Sequence, residues 1–319
     1  MAEELISVIM STYNEKEEWL RDCIESVLKQ SYRNLEFIIV LDRPENEMLR
    51  EVILEYQKQD SRIIFVPNEK NIGLVASLNR ALEYAHGVYV ARIDADDICD
   101  PQRFRIQMEA MKEQDADFVI SAIDFIHDDG QLVEGASDER FGPKAFAQVM
   151  KYGNVAHHST WLLKKTVYDR LEGYREVRYC EDLEFVLRAL QEGTRVIKIP
   201  DHTVQYRLRE NSVSRNFAME QAMKARYIRQ KYAKGERVAD ISPEFLNQQF
   251  SCYRESQKQR FDQADRILSS FCQHMAEHRW GACFREFFRG FCASGYFRML
   301  FTEYFISWSK RKKLADKGA

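Results

Sequence analysis

Val88-Tyr89-Val90-Ala91-Arg92-Ile93-Asp94-Ala95-Asp96-Asp97 is an apolar run that ends in three acids. The apolar half reads as a buried β-strand, and the acids repel one another unless a cation lies among them. In open α/β sheets ligands bind beyond the carboxyl ends of the strands. Three acids at such an end therefore predict a site for a divalent metal.

Working outward, the chain alternates strands with helices. Strands are expected at Leu5–Met10, Leu35–Leu41 and Ile63–Val66, and helices at Glu18–Gln30, Met48–Gln59 and Leu74–Ala85. The first helix carries an apolar stripe at Trp19, Leu20, Cys23, Ile24, Val27 and Leu28. Downstream the period repeats, with a helix at Pro101–Lys112 capped by Asp100 and a strand at Phe118–Ile123. Ile126–Phe141 reads as a hairpin or loop, Phe146–Lys151 as a helix and Ser159–Lys164 as a strand. A helix at Glu181–Gln191 ends at Gly193, two strands, Val196–Ile199 and Val204–Leu208, flank Pro200-Asp201, and a helix covers Phe217–Tyr232. This alternation predicts an α/β fold with a largely parallel sheet covered on both faces. After Gly235 the strand period disappears, which places a boundary near residues 236–242, with 1–235 as one unit and 236–319 as a helical C-terminal extension.

Composition narrows the function. A net charge of -3 over 319 residues argues against a nucleic-acid binder. The seven cysteines form no CxxC pair, which reads as a reduced cytoplasmic chain without a thiolate zinc site. The acidic start Met1-Ala2-Glu3-Glu4 carries no secretory pattern, and no apolar stretch approaches the roughly 18–20 residues of a membrane-spanning helix. There is no GxGxxG fingerprint for a dinucleotide.

Several motifs occur in one order: Ser7-Val8-Ile9-Met10-Ser11-Thr12-Tyr13-Asn14-Glu15, Cys23–Tyr32, Asn68-Glu69-Lys70-Asn71-Ile72-Gly73-Leu74 with Asn79, Ala91–Asp97, Glu181-Asp182-Leu183-Glu184-Phe185, and Tyr206-Arg207 followed by Ser212-Val213-Ser214. Together they resemble the family 2 inverting glycosyltransferases that build bacterial polysaccharides. The resemblance implies a Rossmann-like GT-A glycosyltransferase fold, a nucleotide-sugar donor with UDP-sugars first, and a Mn²⁺ or Mg²⁺ cofactor. One departure is Leu41-Asp42-Arg43-Pro44-Glu45, where the family usually shows a double Asp with Gly and Ser.

The resemblance assigns Asp96 to the metal and Asp94 to the metal or ribose environment, while Asp97 and Asp100 also suit the cap of the following helix. Hard carboxylate oxygens match Mn²⁺ or Mg²⁺ bridging to phosphate. His202 is a further candidate near the metal, or else a satisfied histidine beside a turn. Inverting transfer needs a base for the acceptor hydroxyl, and Asp182, with Glu181 as helper, fits; both acids also suit a helix start. Thr12 and Asp42 are candidates for nucleoside contact, and Arg92 for the diphosphate. Asn71 and Gly73 precede a helix N-terminus that could receive phosphate or ribose oxygens. Arg207, Arg209, Ser212 and Ser214 are candidates to offset the charge of the departing diphosphate. His158 and Trp161 stand on the acceptor side of the motif order. Two other classes remain: a nucleotide-sugar-binding or scaffolding module without catalysis, and a nucleotidyltransferase, which would release pyrophosphate.

The C-terminal end is basic and aromatic. Phe284, Phe287, Phe288 and Phe291 share a helical face, and Phe297, Phe301, Tyr304, Phe305 and Trp308 form another, with Arg285, Arg289, Arg298 and Lys310-Arg311-Lys312-Lys313 between and after them. Two readings stand: peripheral contact with an anionic membrane, the inner face of the bacterial plasma membrane, or packing onto the enzyme or a second subunit. The first suits a saccharide acceptor carried on a lipid diphosphate.

Overall fold

A computed structural model of the chain describes residues 3–133, 138–209 and 216–315. In chain order the elements are β1 (Ile6–Thr12), α1 (Glu17–Leu28), β2 (Leu35–Leu41), α2 (Glu47–Gln59), β3 (Ile63–Pro67), α3 (Leu74–Glu83), β4 (Tyr89–Arg92), β5 (Ile98–Cys99), α4 (Arg103–Glu113), β6 (Phe118–Ile126) and β7 (Leu132–Val133). They continue with α5 (Pro143–Val149), β8 (Leu162–Lys164), α6 (Lys165–Leu171), α7 (Glu181–Gln191), β9 (Val196–Arg207), α8 (Ala218–Ala233), α9 (Pro243–Gln249), α10 (Glu255–Ala276), α11 (Trp280–Ala293) and α12 (Gly295–Leu314).

The strands form one sheet in the order β3-β2-β1-β4-β8-β6-β9-β5, with β7 paired to β6. Side chains alternate across β1 and β2 because successive strand residues face opposite sides. Val8, Met10, Phe37, Ile39 and Leu41 pack with α1, α2 and α4, whereas Ile9, Ile38 and Val40 pack with α3 and α7 on the other face. Both faces are thus covered, as the alternation predicts. At Gly87, just before β4, an added Cβ would lie 2.7 Å from Leu5 O and Ser7 N, so only glycine permits this approach.

The sheet is less parallel than expected. β1, β2, β3 and β4 are mutually parallel, but β8 runs antiparallel between β4 and β6, and β5 is antiparallel to β9. The cause is the long excursion after β6 through the β6–β7 hairpin and α5, which returns the chain to the sheet from the opposite end. The two strands expected around Pro200 are one strand, β9, whose pairing with β6 shifts register around Ala122. Such an irregularity accommodates a residue with no N–H to donate.

Past β9 the described chain is helical and packs back on the sheet domain. Glu303 of α12 pairs with Arg226 and Arg229 of α8, Arg311 Nε donates to Glu139 (2.7 Å), and Leu314 joins the core beside α5. α10, α11 and α12 share a small core of Ala264, Ile267, Leu268 and Phe297, with Phe287 and Phe301 against it. Gly290 lets the Phe297 ring lie against α11, since a Cβ there would stand 2.4 Å from the ring. The tail's aromatics therefore divide. Phe287, Phe297 and Phe301 turn inward, while Trp280 (58 % exposed), Phe284 (65 %), Phe288 (60 %) and Phe291 (45 %) remain outside. No helix among the described residues is long and apolar enough to cross a membrane.

Candidate active site

β1 is flanked by β2 on one side and β4 on the other, so the strand order reverses there. That switch point opens a crevice at the carboxyl ends of the strands. Thr12 closes β1, Asp42 follows β2, and Asp94 to Asp97 follow β4, all on this rim.

The acid cluster is braced rather than free. Arg92 clasps Asp94 with both terminal guanidinium nitrogens, and Asp96 Oδ2 lies 2.7 Å from Arg209 Nε. Asp97 Oδ1 accepts the Arg207 N–H (2.9 Å). Ser159 Oγ stands between Asp94 Oδ2 (2.9 Å) and Asp97 Oδ2 and accepts the Asp94 N–H (3.0 Å). One hydroxyl has one proton for two carboxylates, so a protonated Asp97 completes the set. Burial, followed by repulsion from Asp96 and Asp94, indeed pushes Asp97 well above the usual carboxylate range. Burial and then Asp94 push Asp96 up to about 6, against the pull of Arg209.

These residues fit a divalent cation. Asp94, Asp96 and nearby Glu15 crowd negative charge that Arg92 and Arg209 only partly offset. The donor set is hard oxygen, as Mn²⁺ and Mg²⁺ require. Among the described residues no three His, Cys, Asp or Glu side chains are arranged to hold an ion unaided. A site of one or two carboxylates completed by phosphate oxygens is the usual arrangement for such ions.

A second acid pair opens α7. Glu181 and Asp182 are half-buried, and Asp182 Oδ2 accepts from Asn154 Nδ2 at 3.2 Å. Burial, then the charge of Asp182, raises Glu181 to about 8, and burial raises Asp182 above its ordinary range. Asp182 is pulled back by hydrogen bonds from the Leu183 N–H and Asn154, and by Arg92. Arg92 and Asp94 both act on Glu181, so the fold brings this pair to the same crevice as the first cluster although they lie 84 or more positions apart in sequence.

Several sequence candidates are engaged by contacts within the fold. Arg207 is buried, with Nε on Asp96 O (3.0 Å) and Nη1 on the carbonyls of His127 and Asp128, and its guanidinium lies over Trp19. It shapes the crevice wall, and its Nη2, 3.7 Å from Asp22 Oδ2, is buried without a hydrogen-bond partner. Asp42 accepts from Asn68 Nδ2 (2.8 Å), Ile72 N (2.8 Å) and Gly73 N (2.9 Å), and Asn71 Oδ1 also takes the Gly73 N–H. The Gly73 N–H is thus occupied, and its φ of +86° identifies the glycine as a turn residue. Thr12 is buried and donates to Glu15 Oε2 (2.6 Å).

Trp161 is fully buried against Phe118, His158, Tyr174 and Phe185, so it cannot touch an acceptor. His158 bonds Tyr174 Oη through Nε2 (2.8 Å), and burial holds its ring neutral, well below the usual histidine range. His202 Nδ1 is 2.6 Å from Asp124 Oδ1, which pairs it with that residue rather than with the three acids. Ser212 and Ser214 lie outside the described residues.

The structure adds residues that sequence reading passed over. Ser159 and Asn154 hold the two acid groups, and nothing in their local sequence distinguishes them. Tyr13 is exposed at the crevice rim, with Arg43 5.7 Å from its ring. Arg103, fully buried, donates to the carbonyls of Arg92 (2.8 Å) and Trp161 (3.2 Å) and so fixes the end of β4 against β8.

A switch-point crevice that gathers the Asp94–Asp97 cluster and the Glu181–Asp182 pair is the kind of site at which α/β enzymes handle a charged ligand. Comparison with known proteins names the family within that class. Residues 7–171 match the glycosyl transferase family 2 profile. An uncharacterised glycosyltransferase of Methanocaldococcus jannaschii is 35 % identical over 221 residues, which cover 67 % of this chain and 75 % of that one. The amylovoran biosynthesis glycosyltransferase AmsE of Erwinia amylovora is 31 % identical over 212 residues, 66 % of this chain and 79 % of its own. Staphylococcus aureus TarS, solved with UDP-GlcNAc, shares the fold at a TM-score of 0.58 and 18 % identity, over 76 % of this chain and 69 % of that one. The mannosyltransferase PcManGT of Pyrobaculum calidifontis, solved with GDP-Man and Mn²⁺, does so at 0.55 and 17 %, over 76 % and 66 %. The chain belongs to glycosyl transferase family 2 and is a glycosyltransferase with a GT-A fold.

Proposed function

We propose that the protein is a metal-dependent, inverting glycosyltransferase that moves a sugar from a nucleotide-sugar, UDP-linked in the first instance, to a hydroxyl of a saccharide acceptor in cell-surface polysaccharide assembly. The observation that carries this reading is the pair of differently built acid groups facing one crevice. The names of AmsE and of the UDP-GlcNAc-bound TarS structure support the substrate classes.

The nucleoside enters at the β1 end, where exposed Tyr13 offers a ring face for the base. Asp96 and Asp94 would hold the metal, which when bound would supply charge stabilisation for the leaving diphosphate. Arg209, paired with Asp96 in the free protein, is within reach to exchange that carboxylate for a phosphate oxygen. Asp182 accepts the proton of the acceptor hydroxyl as its oxygen bonds to the anomeric carbon and the carbon–phosphate oxygen bond breaks on the opposite face. Glu181, held protonated near neutral pH, leaves Asp182 as the charged member of the pair. Asn154 fixes the orientation of that carboxylate. Screening UDP-, GDP- and dTDP-sugars for Mn²⁺-dependent hydrolysis tests the reading: release of nucleoside diphosphate supports it, and release of pyrophosphate with a nucleotidylated product contradicts it.

The enzyme works at an anionic membrane surface, on an acceptor borne by a lipid diphosphate. Trp280, Phe284, Phe288 and Phe291 recur at helical spacing within an arc of about 80°. Exposed Arg285 lies about 60° beyond this arc, and Arg298 stacks on Phe291. Outward aromatics edged by arginine match an anionic interface, where each nearby cation contributes about 1 kcal/mol. Flotation with phosphatidylglycerol vesicles checks this surface. Wild type is expected to float and Phe284→Ser/Phe288→Ser to remain below; equal flotation contradicts it, and a dimer disrupted by the same pair of changes assigns the face to a second copy instead.

A further inference from the structure

Between α8, α12 and the loop after α5 lies a cavity of about 400 Å³. Lys151, Arg226, Arg229 and Arg298 line it, together with a single carboxylate, Glu303. Arg226 Nη1 is 2.6 Å from Glu303 Oε1 and Arg229 Nη2 is 3.1 Å from Glu303 Oε2, so two guanidiniums share one acid. Arg298 gives one N–H to the Phe291 carbonyl (2.9 Å), and Lys151 has no ion-pair partner among the described residues. Burial lowers Arg229 below the usual arginine range, a sign that its charge is incompletely met. Four cations around one carboxylate exceed what anchoring the tail requires, because a single Arg would pair Glu303 fully.

The cavity adjoins the base. Lys151 and Tyr152 form its wall, and three residues after Lys151 comes Asn154, whose amide holds Asp182. Three residues span at most about 10 Å. α8 ties the two places together a second time, because Gln221 accepts from Cys180 Sγ (3.4 Å) and donates to Tyr179 O (2.9 Å), directly before Glu181. Guanidinium forks suit phosphate oxygens, which can take two parallel N–H bonds.

We propose that this cavity seats a phosphate or diphosphate ester carried by the acceptor, holding that group while the acceptor's hydroxyl is presented to Asp182. The proposal rests on the reading of Asp182 as base. Its test does not, because it reads anion binding alone.

Titrating the full chain with inorganic pyrophosphate in EDTA keeps the probe from the Asp94–Asp96 acids, which repel it without metal. Wild type is expected to bind, and Lys151→Gln/Arg226→Gln to bind about tenfold more weakly. Glu303→Gln removes the one competing carboxylate and is expected to tighten the probe about tenfold, which misfolding cannot mimic. A second arm uses phosphatidylcholine vesicles with and without undecaprenyl diphosphate. Flotation that depends on this lipid, and that Lys151→Gln/Arg226→Gln reduces, supports the seat with a lipid-borne source. Pyrophosphate binding without such flotation supports it with a soluble phosphate ester as source. Failure of both probes to bind, or weaker pyrophosphate binding by Glu303→Gln, overturns the proposal and leaves the arginines as an anchor for the tail.

Discussion

The Asp94–Asp97 cluster and the Glu181–Asp182 pair are both acidic and sheltered, and burial raises acids in each, yet the protein gives them different partners. The first is met by Arg92 and Arg209 and by the Ser159 hydroxyl. Among the described residues the second has no ion-pair partner, only the Asn154 amide and backbone N–H groups, and burial raises Glu181 to about 8 and Asp182 above its ordinary range, with Arg92 pulling both back. The guanidiniums on Asp94 and Asp96 favour the charged forms of those two acids against burial and crowding, whereas a pair without such partners is suited to taking up and releasing a proton. The difference separates donor binding from base chemistry within one crevice.

The sharpest way to break that separation is Asp182→Asn. Transfer is expected to fall by about 10²–10⁴-fold, the usual contribution of a positioned base, while UDP affinity in Mn²⁺ stays near wild type. Single-turnover transfer beside a UDP titration reads both, and near-normal transfer would remove Asp182 from the base role.

Ser159→Ala attacks the other group. It strips Asp94 and Asp97 of a shared partner in a buried setting, with an expected loss of about 1–3 kcal/mol in urea unfolding. An unchanged midpoint would mean that water replaces the hydroxyl and that the bracing described above is unimportant.

A further effect concerns pH. Glu181 has its folded pKa raised from 4.5 to about 8, so its stabilising contribution is complete below about pH 4.5 and is lost as pH rises through about 8. Wild type is expected to lose stability between pH 5 and 9 more steeply than Glu181→Gln. Parallel slopes would show that Glu181 titrates as an ordinary surface acid.

How much of this was legible in the sequence varies by region. β1 to β4 were readable because each strand is apolar, each intervening helix has a clear stripe, and βαβ units leave little choice of direction. β8 was found as a strand but not as an antiparallel one, since three residues carry no information on direction and the excursion after β6 decides it. Within the site, Asp94, Asp96, Glu181 and Asp182 stood out because clustered acids are conspicuous. Arg207, Asp42 and Trp161 stood out too, but their hydrogen bonds and burial come from segments far away in sequence. Ser159 and Asn154 were invisible for the same reason, being ordinary polar residues until the fold aims them at the acids. The tail's aromatic stripes could be located from spacing, whereas which rings turn inward depended on the Gly290–Phe297 contact.

The central claim is that Asp96 serves a metal-bound nucleotide and not merely the fold. Calorimetric titration of UDP into wild type and Asp96→Ala, each with Mn²⁺ and with EDTA, tests it most directly. Wild type is expected to bind far more tightly with Mn²⁺ than with EDTA, and Asp96→Ala to lose that difference while remaining folded. Equal gains from Mn²⁺ in both proteins, or none in either, would contradict it.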